Sequence, residues 1–487
     1  MSTPSHTGAD LFVDALTEYG VTHVFGNPGT TELPILKSIA ESDLEYVLGV
    51  HEDVAVGMAG GYAATRRYHS HHDPGVNPVG VVNLHVAPGL AHGLGNVQNA
   101  AWAGVPLVVT AGAHSTDFQH EEPILSGDLA GMAEEYCKYS AEVQDVEALP
   151  TMVRRAFRRA LAPPTGPVFL GLPMDVMQAE ATASPEPLGG IPRTGPGDPG
   201  AVSDAVAALE SADDPVLVVG DQVARTGPDA IEAAVDLAEA TGAAVYSEML
   251  TCEISYPPDH DQWVSFVSPG VDMAREVFDT DTLVFVGCTS NVPYIPYDDP
   301  YVPAEATVVE VNDDPAEVGK NFSADVGVVG DPGQVMRAVA DAVSVPEDDR
   351  EARLENLPGR RETARDYLHV EREDEESGIS KAALADALQE VAPDAYVVNE
   401  SNTSKYPLLT RWALGPEQFI SNKNGGLGYG LPASVGAAVA MAEADADRPV
   451  VGFIGDGSYL YYPQAVYSAA RRNLDLAVVV PDNRTYR

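Results

Sequence analysis

The sequence predicts an α/β protein built from three doubly wound parallel-sheet domains. Short apolar runs alternate with amphipathic stretches, which is the pattern of βαβ units with buried strands. Of the 487 residues, 45% are hydrophobic and 21% are charged, as is usual for a folded chain. A Pro- and Gly-rich stretch (184–200) and a highly charged one (344–378) predict linkers, although the second could contain a surface helix. The predicted domains are about 1–183, 190–343 and 376–487.

Each predicted domain has its own candidate strands, and polar motifs follow several of them. Ligands of parallel sheets bind at the carboxyl ends of strands, so these motifs are the candidate sites. In the first domain the strands are HVFG (23–26), VGVVNLH (79–85), PLVVTAGA (106–113) and PVFLGLP (167–173). In the second they are PVLVVGD (215–221), AAVYSEM (243–249), TLVFVGC (282–288) and ATVVEVN (306–312). In the third they are AYVVNE (395–400), PVVGFIGDG (449–457) and LAVVVPDN (476–483).

Acidic side chains dominate the charge of the protein. There are 73 Asp and Glu against 28 Lys and Arg, a formal net charge of −45, and only six of the basic residues are Lys. A negative field of this size opposes binding to nucleic-acid phosphates. Acidic, Lys-poor surfaces suit concentrated salt, where charge is screened over a few ångströms. We therefore expect a salt-adapted protein from a halophile with no nucleic-acid partner; the alternative is an acidic cytosolic protein.

The sequence contains no pattern that predicts secretion or membrane insertion. Its N-terminal segment lacks the basic and apolar regions of a signal peptide, and its three cysteines are too few for a disulfide framework or zinc site. The longest apolar runs fall well short of the roughly 20 residues that a membrane-spanning helix needs. We expect a cytoplasmic protein without a membrane partner.

The strongest local motif is a strand that ends in Gly455-Asp456-Gly457-Ser458, followed by a helix and a second strand that ends at Asn483. Glycine N–H groups at a helix start can approach a phosphate. Oxygens of Asp456 and Asn483, at the ends of neighbouring strands, can converge on one Mg²⁺ ion. A lone GDG is as often a turn, but the Asn 26 residues after the last Gly makes the pattern much more specific.

This pattern resembles the diphosphate–metal motif of thiamine-diphosphate enzymes. The resemblance extends over nearly the whole chain, to the superfamily of decarboxylases and acetolactate synthases, and several motifs of the first domain are close to the form seen in benzoylformate decarboxylases. It implies thiamine diphosphate and Mg²⁺ as cofactors and a small-molecule 2-oxo acid as substrate. The supporting motifs are VFGNPGTTELP (24–34), GVHEDVAVGMAGGYA (49–63), VVNLHVAPGLAHGLGN (81–96), VVNESNTS (397–404) and NGGLGYGLPASVGAA (424–438).

Three residues of the first domain receive catalytic roles from the resemblance. Glu52 follows the apolar run YVLGV, where an acid is also common at a helix start; the resemblance implies that it binds N1′ of the aminopyrimidine and promotes proton loss from thiazolium C2. His85 ends a strand, and its implied role is proton transfer at the substrate, although a structural role is also open. Thr30 corresponds to a hydroxyl that meets the substrate carboxylate; the alternative is a helix N-cap.

Cofactor contacts are implied in the third domain. The implied diphosphate-binding residues are Asn402, Thr403, Gly455, Gly457 and Ser458. Gly425 matches a backbone contact with the aminopyrimidine, and Leu427 matches the bulky residue beneath the cofactor, although Leu427 is equally compatible with a core position. The implied Mg²⁺ ligands are Asp456, Asn483 and the backbone carbonyl of Thr485.

One departure from the pattern of benzoylformate decarboxylases leaves the type of reaction and the substrate open. The second active-site His of benzoylformate decarboxylases has no counterpart in TSNVPYIPYDDP (289–300), where Tyr294 is the nearest candidate. The leading interpretation is a decarboxylase of a benzoylformate-like 2-oxo acid. The first alternative is an acetolactate-synthase-type carboligase, which usually has Gln in place of His85 and binds FAD. A truncated, non-catalytic family member is the second, because the chain ends two residues after Thr485.

The resemblance also implies a homodimer or homotetramer with the active site at the subunit interface. Glu52 of one subunit should then meet Asp456 of another. His92 receives no role from the family pattern. We expect the cluster His69, His71 and His72 to be an exposed loop rather than a metal site.

Overall fold

The computed structural model describes residues 6–368, 378–446 and 448–483. Packing divides the chain into two compact units, which we describe separately. The first comprises Met1–Pro192, Val398–Glu400 and Asn422–Arg487, and the second comprises Arg193–Val397 and Ser401–Ser421.

The first unit contains a six-stranded parallel sheet in the order β2-β1-β3-β4-β6-β5. Its inner strands are almost completely buried, because helices cover both faces, and this explains their continuous apolar sequences. The strands are β1 (His23–Gly26), β2 (Glu45–Leu48), β3 (Gly80–His85), β4 (Leu107–Ala113), β5 (Ser140–Glu142) and β6 (Val168–Pro173).

Seven helices connect or flank these strands. The first begins with a capping box, in which Thr7 accepts from the backbone N–H of Asp10 and the Asp10 carboxylate accepts from that of Thr7. The helices are α1 (Gly8–Glu18), α2 (Leu33–Ala40), α3 (Glu52–His72), α4 (Val86–Trp102), α5 (Leu129–Glu134), α6 (Leu149–Leu161) and α7 (Met174–Gln178). The predicted histidine loop is wrong: His69, His71 and His72 form the last turn of α3, where the helix dipole favours basic side chains.

The second unit contains another six-stranded parallel sheet, in the order β12-β11-β10-β7-β8-β9. Strand order reverses direction between β7 and β10, as in other doubly wound sheets. The strands are β7 (Pro215–Val219), β8 (Ala244–Ser247), β9 (Trp263–Ser265), β10 (Thr282–Val286), β11 (Thr307–Asn312) and β12 (Val326–Val329). The helices are α8 (Pro199–Ser211), α9 (Asp221–Thr226), α10 (Pro228–Thr241), α11 (Val271–Phe278), α12 (Pro332–Ala342), α13 (Glu347–Leu354) and α14 (Leu357–Leu368).

The two predicted linkers differ in structure. Residues 184–198 contain neither helix nor strand. The charged stretch instead contains α13 and α14, and Leu357 and Leu368 belong to the hydrophobic core of the second unit. The buried guanidinium of Arg353 donates to the backbone carbonyls of Thr241, Leu209 and Ala212. Residues 347–368 are therefore packed structure rather than a linker.

A third parallel sheet has four strands in the order β14-β13-β15-β16. Together the three sheets confirm the predicted fold class. The strands are β13 (Tyr396–Glu400), β14 (Phe419–Ser421), β15 (Val450–Ile454) and β16 (Leu476–Val479), and the helices are α15 (Lys381–Val391), α16 (Lys405–Arg411), α17 (Gly430–Glu443), α18 (Asp456–Tyr459) and α19 (Ala465–Arg472).

Within the first unit, α3 and α17 pack through glycine. A Cβ on Gly61 would overlap the backbone of Ala433, and one on Gly436 would overlap the carbonyl of Met58. Alanine substitution at either position therefore forces the two helix backbones apart. At the neighbouring Gly60, the nearest atom to an added Cβ is a ring carbon of Tyr429 at 4.0 Å.

We expect Gly61→Ala to lower the free energy of unfolding by about 3 kcal/mol, because overpacking cannot be relieved against backbone. Gly60→Ala is the matched control and should raise it by up to about 1 kcal/mol through helix propensity. Urea titrations in molar KCl measure both variants. Equal stabilities of the two variants would contradict the close approach of α3 and α17.

Candidate active site

Glu52 is the first residue of α3 and follows β2 by a sharp turn. At Gly49 in this turn, a Cβ would come within 2.8 Å of the Ala55 backbone nitrogen. The N-cap of the helix is His51, whose Nδ1 accepts from the backbone N–H of Asp53 at 3.0 Å. The Glu52 side chain is only 15% exposed. A partly buried carboxylate after the edge strand β2 is thus accessible to a ligand.

His85 ends β3 and is held by a buried carboxylate. Its Nδ1 lies 2.8 Å from Oε2 of Glu32, a side chain with no solvent exposure. Oxygens of Glu32 also accept from the backbone N–H of Gly29 at 2.7 Å and from the Thr31 hydroxyl at 2.6 Å. Because a carboxylate only accepts hydrogen bonds, the proton of neutral His85 is on Nδ1. Nε2 is then the nitrogen that can take or, when protonated, give a proton.

Thr30 is adjacent to Thr31 in the sequence but has no part in the hydrogen bonds described between Glu32, Thr31 and His85. Its side chain is exposed, whereas the hydroxyl of the buried Thr31 lies 3.1 Å from Nδ1 of His85. The N-cap of α2 is Glu32, so the alternative interpretation of Thr30 as the N-cap is wrong. Sequence reasoning missed Thr31 and Glu32, although both lie in the motif GNPGTTELP.

A second buried carboxylate, to which the sequence assigned no role, is that of Glu400, and it binds the backbone of the glycine-rich segment before α17. Glu400, at the end of β13, is 2% exposed and accepts from the backbone N–H groups of Gly428, Tyr429 and Gly430 at 2.9–3.1 Å. The Asn422 amide donates to the same carboxylate at 3.1 Å. Burial raises the pKa of Glu400 from its ordinary value of 4.5 to about 7, and these hydrogen bonds oppose the rise.

The raised pKa predicts the sign of a pH effect. The folded chain binds the Glu400 proton more tightly than the unfolded chain, so this stabilisation is complete below pH 4.5 and is lost as the pH rises to about 7. Glu400→Gln cannot titrate. Its free energy of unfolding, relative to the parent protein, should therefore rise by about 3 kcal/mol between pH 4.5 and 7. Chemical denaturation at several pH values measures this, with the exposed Glu390→Gln as control; parallel curves for Glu400→Gln would contradict it.

The glycine-rich segment presents open backbone to a ligand. Gly425 has a φ of +77°, and no described atom lies within 4 Å of the position where its Cβ would stand. The backbone N–H of Gly425 is oriented by Oδ1 of Asn422 at 3.0 Å. Leu427 is half-buried two residues later. An open backbone followed by a bulky apolar side chain fits the aminopyrimidine contacts implied for these positions.

The GDG motif lies where the sequence predicted it. Asp456 follows β15 after Gly455 and begins the short helix α18, and Asn483 follows β16. β15 and β16 are neighbouring parallel strands, with Phe453 opposite Val479, so both side chains lie at the same sheet edge. A carboxylate and an amide oxygen are suitable ligands for Mg²⁺ beside a diphosphate. Gly457 and the buried Ser458 lie in the first turn of α18, and Thr485 lies outside the described residues.

Asn402 and Thr403 belong to the second unit. Both are exposed in the turn between β13 and α16, and the backbone carbonyl of Thr403 accepts from the Lys381 ammonium at 3.0 Å. Tyr294, the candidate for the missing histidine, is 64% exposed in the same unit.

Comparisons with known proteins agree with these motifs. Three family models of thiamine pyrophosphate enzymes match the chain: the N-terminal TPP-binding domain at residues 6–140, the central domain at 202–339 and the C-terminal TPP-binding domain at 404–487. None of the described helices is long and apolar enough to cross a membrane.

Individual relatives include both decarboxylases and synthases. The chain is 30% identical to a benzoylformate decarboxylase of Pseudomonas aeruginosa, over 97% of this chain and 85% of that protein. It is 26% identical to a probable acetolactate synthase large subunit of Methanocaldococcus jannaschii, over 98% and 80%. The crystal structure of benzoylformate decarboxylase from Polynucleobacter necessarius superposes with a TM-score of 0.87 at 26% identity, covering 99% of this chain and 86% of that one.

Proposed function

Since the chain belongs to the thiamine-diphosphate enzyme family of decarboxylases and acetolactate synthases, we propose that it decarboxylates a 2-oxo acid to an aldehyde. The observation that carries this proposal is the pairing of His85 with the buried Glu32. Release of an aldehyde requires a proton at the former keto carbon, and this pairing leaves Nε2 of His85 as the proton-transferring nitrogen. The similarity to a benzoylformate decarboxylase favours an aromatic 2-oxo acid as substrate.

The donor groups of the chain fit thiamine diphosphate with Mg²⁺. Asp456, Asn483 and the Thr485 carbonyl would hold the metal, and the diphosphate would bind at Gly455, Gly457 and Ser458. Gly425 and Leu427 would hold the aminopyrimidine. When bound, the thiazolium supplies an electron sink for the loss of CO₂.

The remaining chemistry falls to side chains of this protein. Glu52 would exchange a proton with N1′ of the aminopyrimidine, for which its partly buried position is suited. His85 would deliver the product proton through Nε2, with its ring orientation set by Glu32. Thr30 is exposed beside Glu32 and His85, and its hydroxyl would donate a hydrogen bond to the substrate carboxylate.

A panel of aromatic and branched 2-oxo acids tests the reaction. The protein is incubated with Mg²⁺ and thiamine diphosphate in molar KCl, and CO₂ and products are measured. We expect equal amounts of CO₂ and aldehyde, with benzoylformate among the substrates. A coupled 2-hydroxy-3-oxo acid as the main product would favour the carboligase of the acetolactate-synthase type. No turnover of any substrate would refute the proposal.

We also propose that the protein is a cytoplasmic enzyme of a halophile and works as a homodimer or homotetramer. The net charge of −45 with six Lys supports salt adaptation. Light scattering in molar KCl should give at least a dimer, and activity should fall on dialysis to dilute buffer. A monomer that is active in dilute buffer would contradict both parts.

A further inference from the structure

His92 has no part in the proposed function, yet it lies against the proposed catalytic carboxylate. Its Nδ1 is 3.4 Å from Oε2 of Glu52, and its ring stacks on that of His51 with centroids 5.5 Å apart and an interplanar angle of 27°. One possible ligand atom from each of His51, Glu52 and His92 lies within 4.8 Å of the other two. We propose that these three side chains form a binding site for a Zn²⁺-like transition-metal ion.

The chemistry of the three groups selects the class of ion. Two imidazoles and one carboxylate are a common ligand set for zinc in proteins, with the fourth position open to water, whereas Mg²⁺ prefers oxygen ligands. Bonds of about 2.0–2.1 Å in a tetrahedron place ligand atoms about 3.4 Å apart. The His92–Glu52 pair already has this separation, and the distances to His51, which are within 4.8 Å, would have to shorten when the ion binds.

Buried hydrogen bonds fix the spacing of the cluster. Asp53, next to Glu52 on α3, accepts from the backbone N–H of Asn96 at 2.7 Å, and its carbonyl accepts from the Asn96 amide at 3.0 Å. Asn96 lies one helical turn after His92 on α4, so these bonds hold the first turn of α3 against α4.

The site is also open to an incoming ion. The His92 side chain is 60% exposed, whereas that of Glu52 is 15% exposed, so the cluster connects a partly buried carboxylate with solvent.

Coordination of the ion by His51 would disturb one hydrogen bond of its ring. Its Nδ1 accepts from the Asp53 backbone N–H, so coordination either replaces this hydrogen bond at Nδ1 or moves the ring proton from Nε2 to Nδ1.

A consequence for regulation rests on the proposed function. If Glu52 binds the aminopyrimidine, the ion and the cofactor compete for one carboxylate. The bound ion is then an inhibitor of cofactor binding rather than a participant in the reaction. Zinc should raise the concentration of thiamine diphosphate that is needed for half-maximal activity.

Metal titration of the cofactor-free, untagged full chain in molar KCl tests the site directly. Co²⁺ serves as the probe, because its visible absorption reports tetrahedral coordination, and Zn²⁺ should displace it. We expect one Co²⁺ per chain, with at least tenfold weaker binding in His92→Asn and Glu52→Gln. The matched control is His120→Asn: His120 lies 3.3 Å from the carboxylate of Glu121, but the described residues include no such cluster around this exposed pair.

Two results would overturn the metal site: no stoichiometric Co²⁺ binding, or equal binding by the parent protein and His92→Asn. A second titration, with thiamine diphosphate and Mg²⁺ present, tests the shared carboxylate. Weakening of Co²⁺ binding by at least tenfold supports competition. Binding that depends on His92 but is unchanged by the cofactor would refute the assignment of Glu52 to the aminopyrimidine, while the metal site itself would stand.

Discussion

Replacement of Glu52 by glutamine is expected to lower kcat for aldehyde formation by about 100- to 10,000-fold. The amide keeps the size of the side chain but cannot exchange a proton with the cofactor ring. The local structure should survive, because the N-cap of α3 is His51 and its hydrogen bond to Asp53 does not involve Glu52. Release of CO₂ from benzoylformate at saturating cofactor measures the effect.

The matched control for Glu52→Gln is Glu121→Gln. Glu121 also lies beside a histidine, His120, but its side chain is 65% exposed and it is distant in sequence from the predicted motifs. This variant should retain full activity, which separates a catalytic effect from a general loss of one negative charge. Normal turnover by Glu52→Gln would exclude its carboxylate from the proton transfer.

Replacement of Glu32 by glutamine is expected to lower kcat at least about 100-fold through His85. The amide of glutamine accepts through one oxygen only, so it cannot accept from Gly29, Thr31 and His85 as the two carboxylate oxygens of Glu32 do. The imidazole then loses its fixed orientation and tautomer. Loss of these buried hydrogen bonds should also lower the free energy of unfolding by about 1–3 kcal/mol.

Three measurements distinguish positioning of His85 from a purely structural role of Glu32. The affinity for thiamine diphosphate should stay the same, kcat should fall more than KM rises, and the pH profile of kcat should change. Glu41→Gln, an exposed substitution at the other end of α2, is the control and should change none of these. A fall in stability with an unchanged pH profile of kcat would contradict the positioning role.

The inner strands were predictable from the sequence, whereas of the edge strands only β16 was among the predicted ones. Runs such as VVNL and LVVT on β3 and β4 are buried on both faces, so their apolar residues are continuous. The strands absent from the predicted set include β5, β9, β12 and β14, each at an edge of its sheet. β5 has no fully buried residue and β12 has one.

The residues of the candidate site also differ in whether the sequence could predict them. Glu52, His85, Asp456 and Asn483 stand at fixed distances within motifs, so their sequence context suggested their roles. Glu32 and Glu400 act through partners on other elements: Glu32 contacts a histidine 53 residues away, and Glu400 accepts from backbone N–H groups 28–30 residues away. Local sequence contains no information on such pairings until the strands are placed side by side.

The sequence by itself determined the family, the parallel α/β class and the motif residues, because these depend on local composition and on spacing along the chain. Only the tertiary structure decided which carboxylate orients His85, which one supports the glycine-rich segment, and that His92 faces Glu52. These are contacts between elements that are distant in the chain. They exist because burial makes unpaired polar groups costly, so each buried carboxylate is positioned where other segments supply its donors.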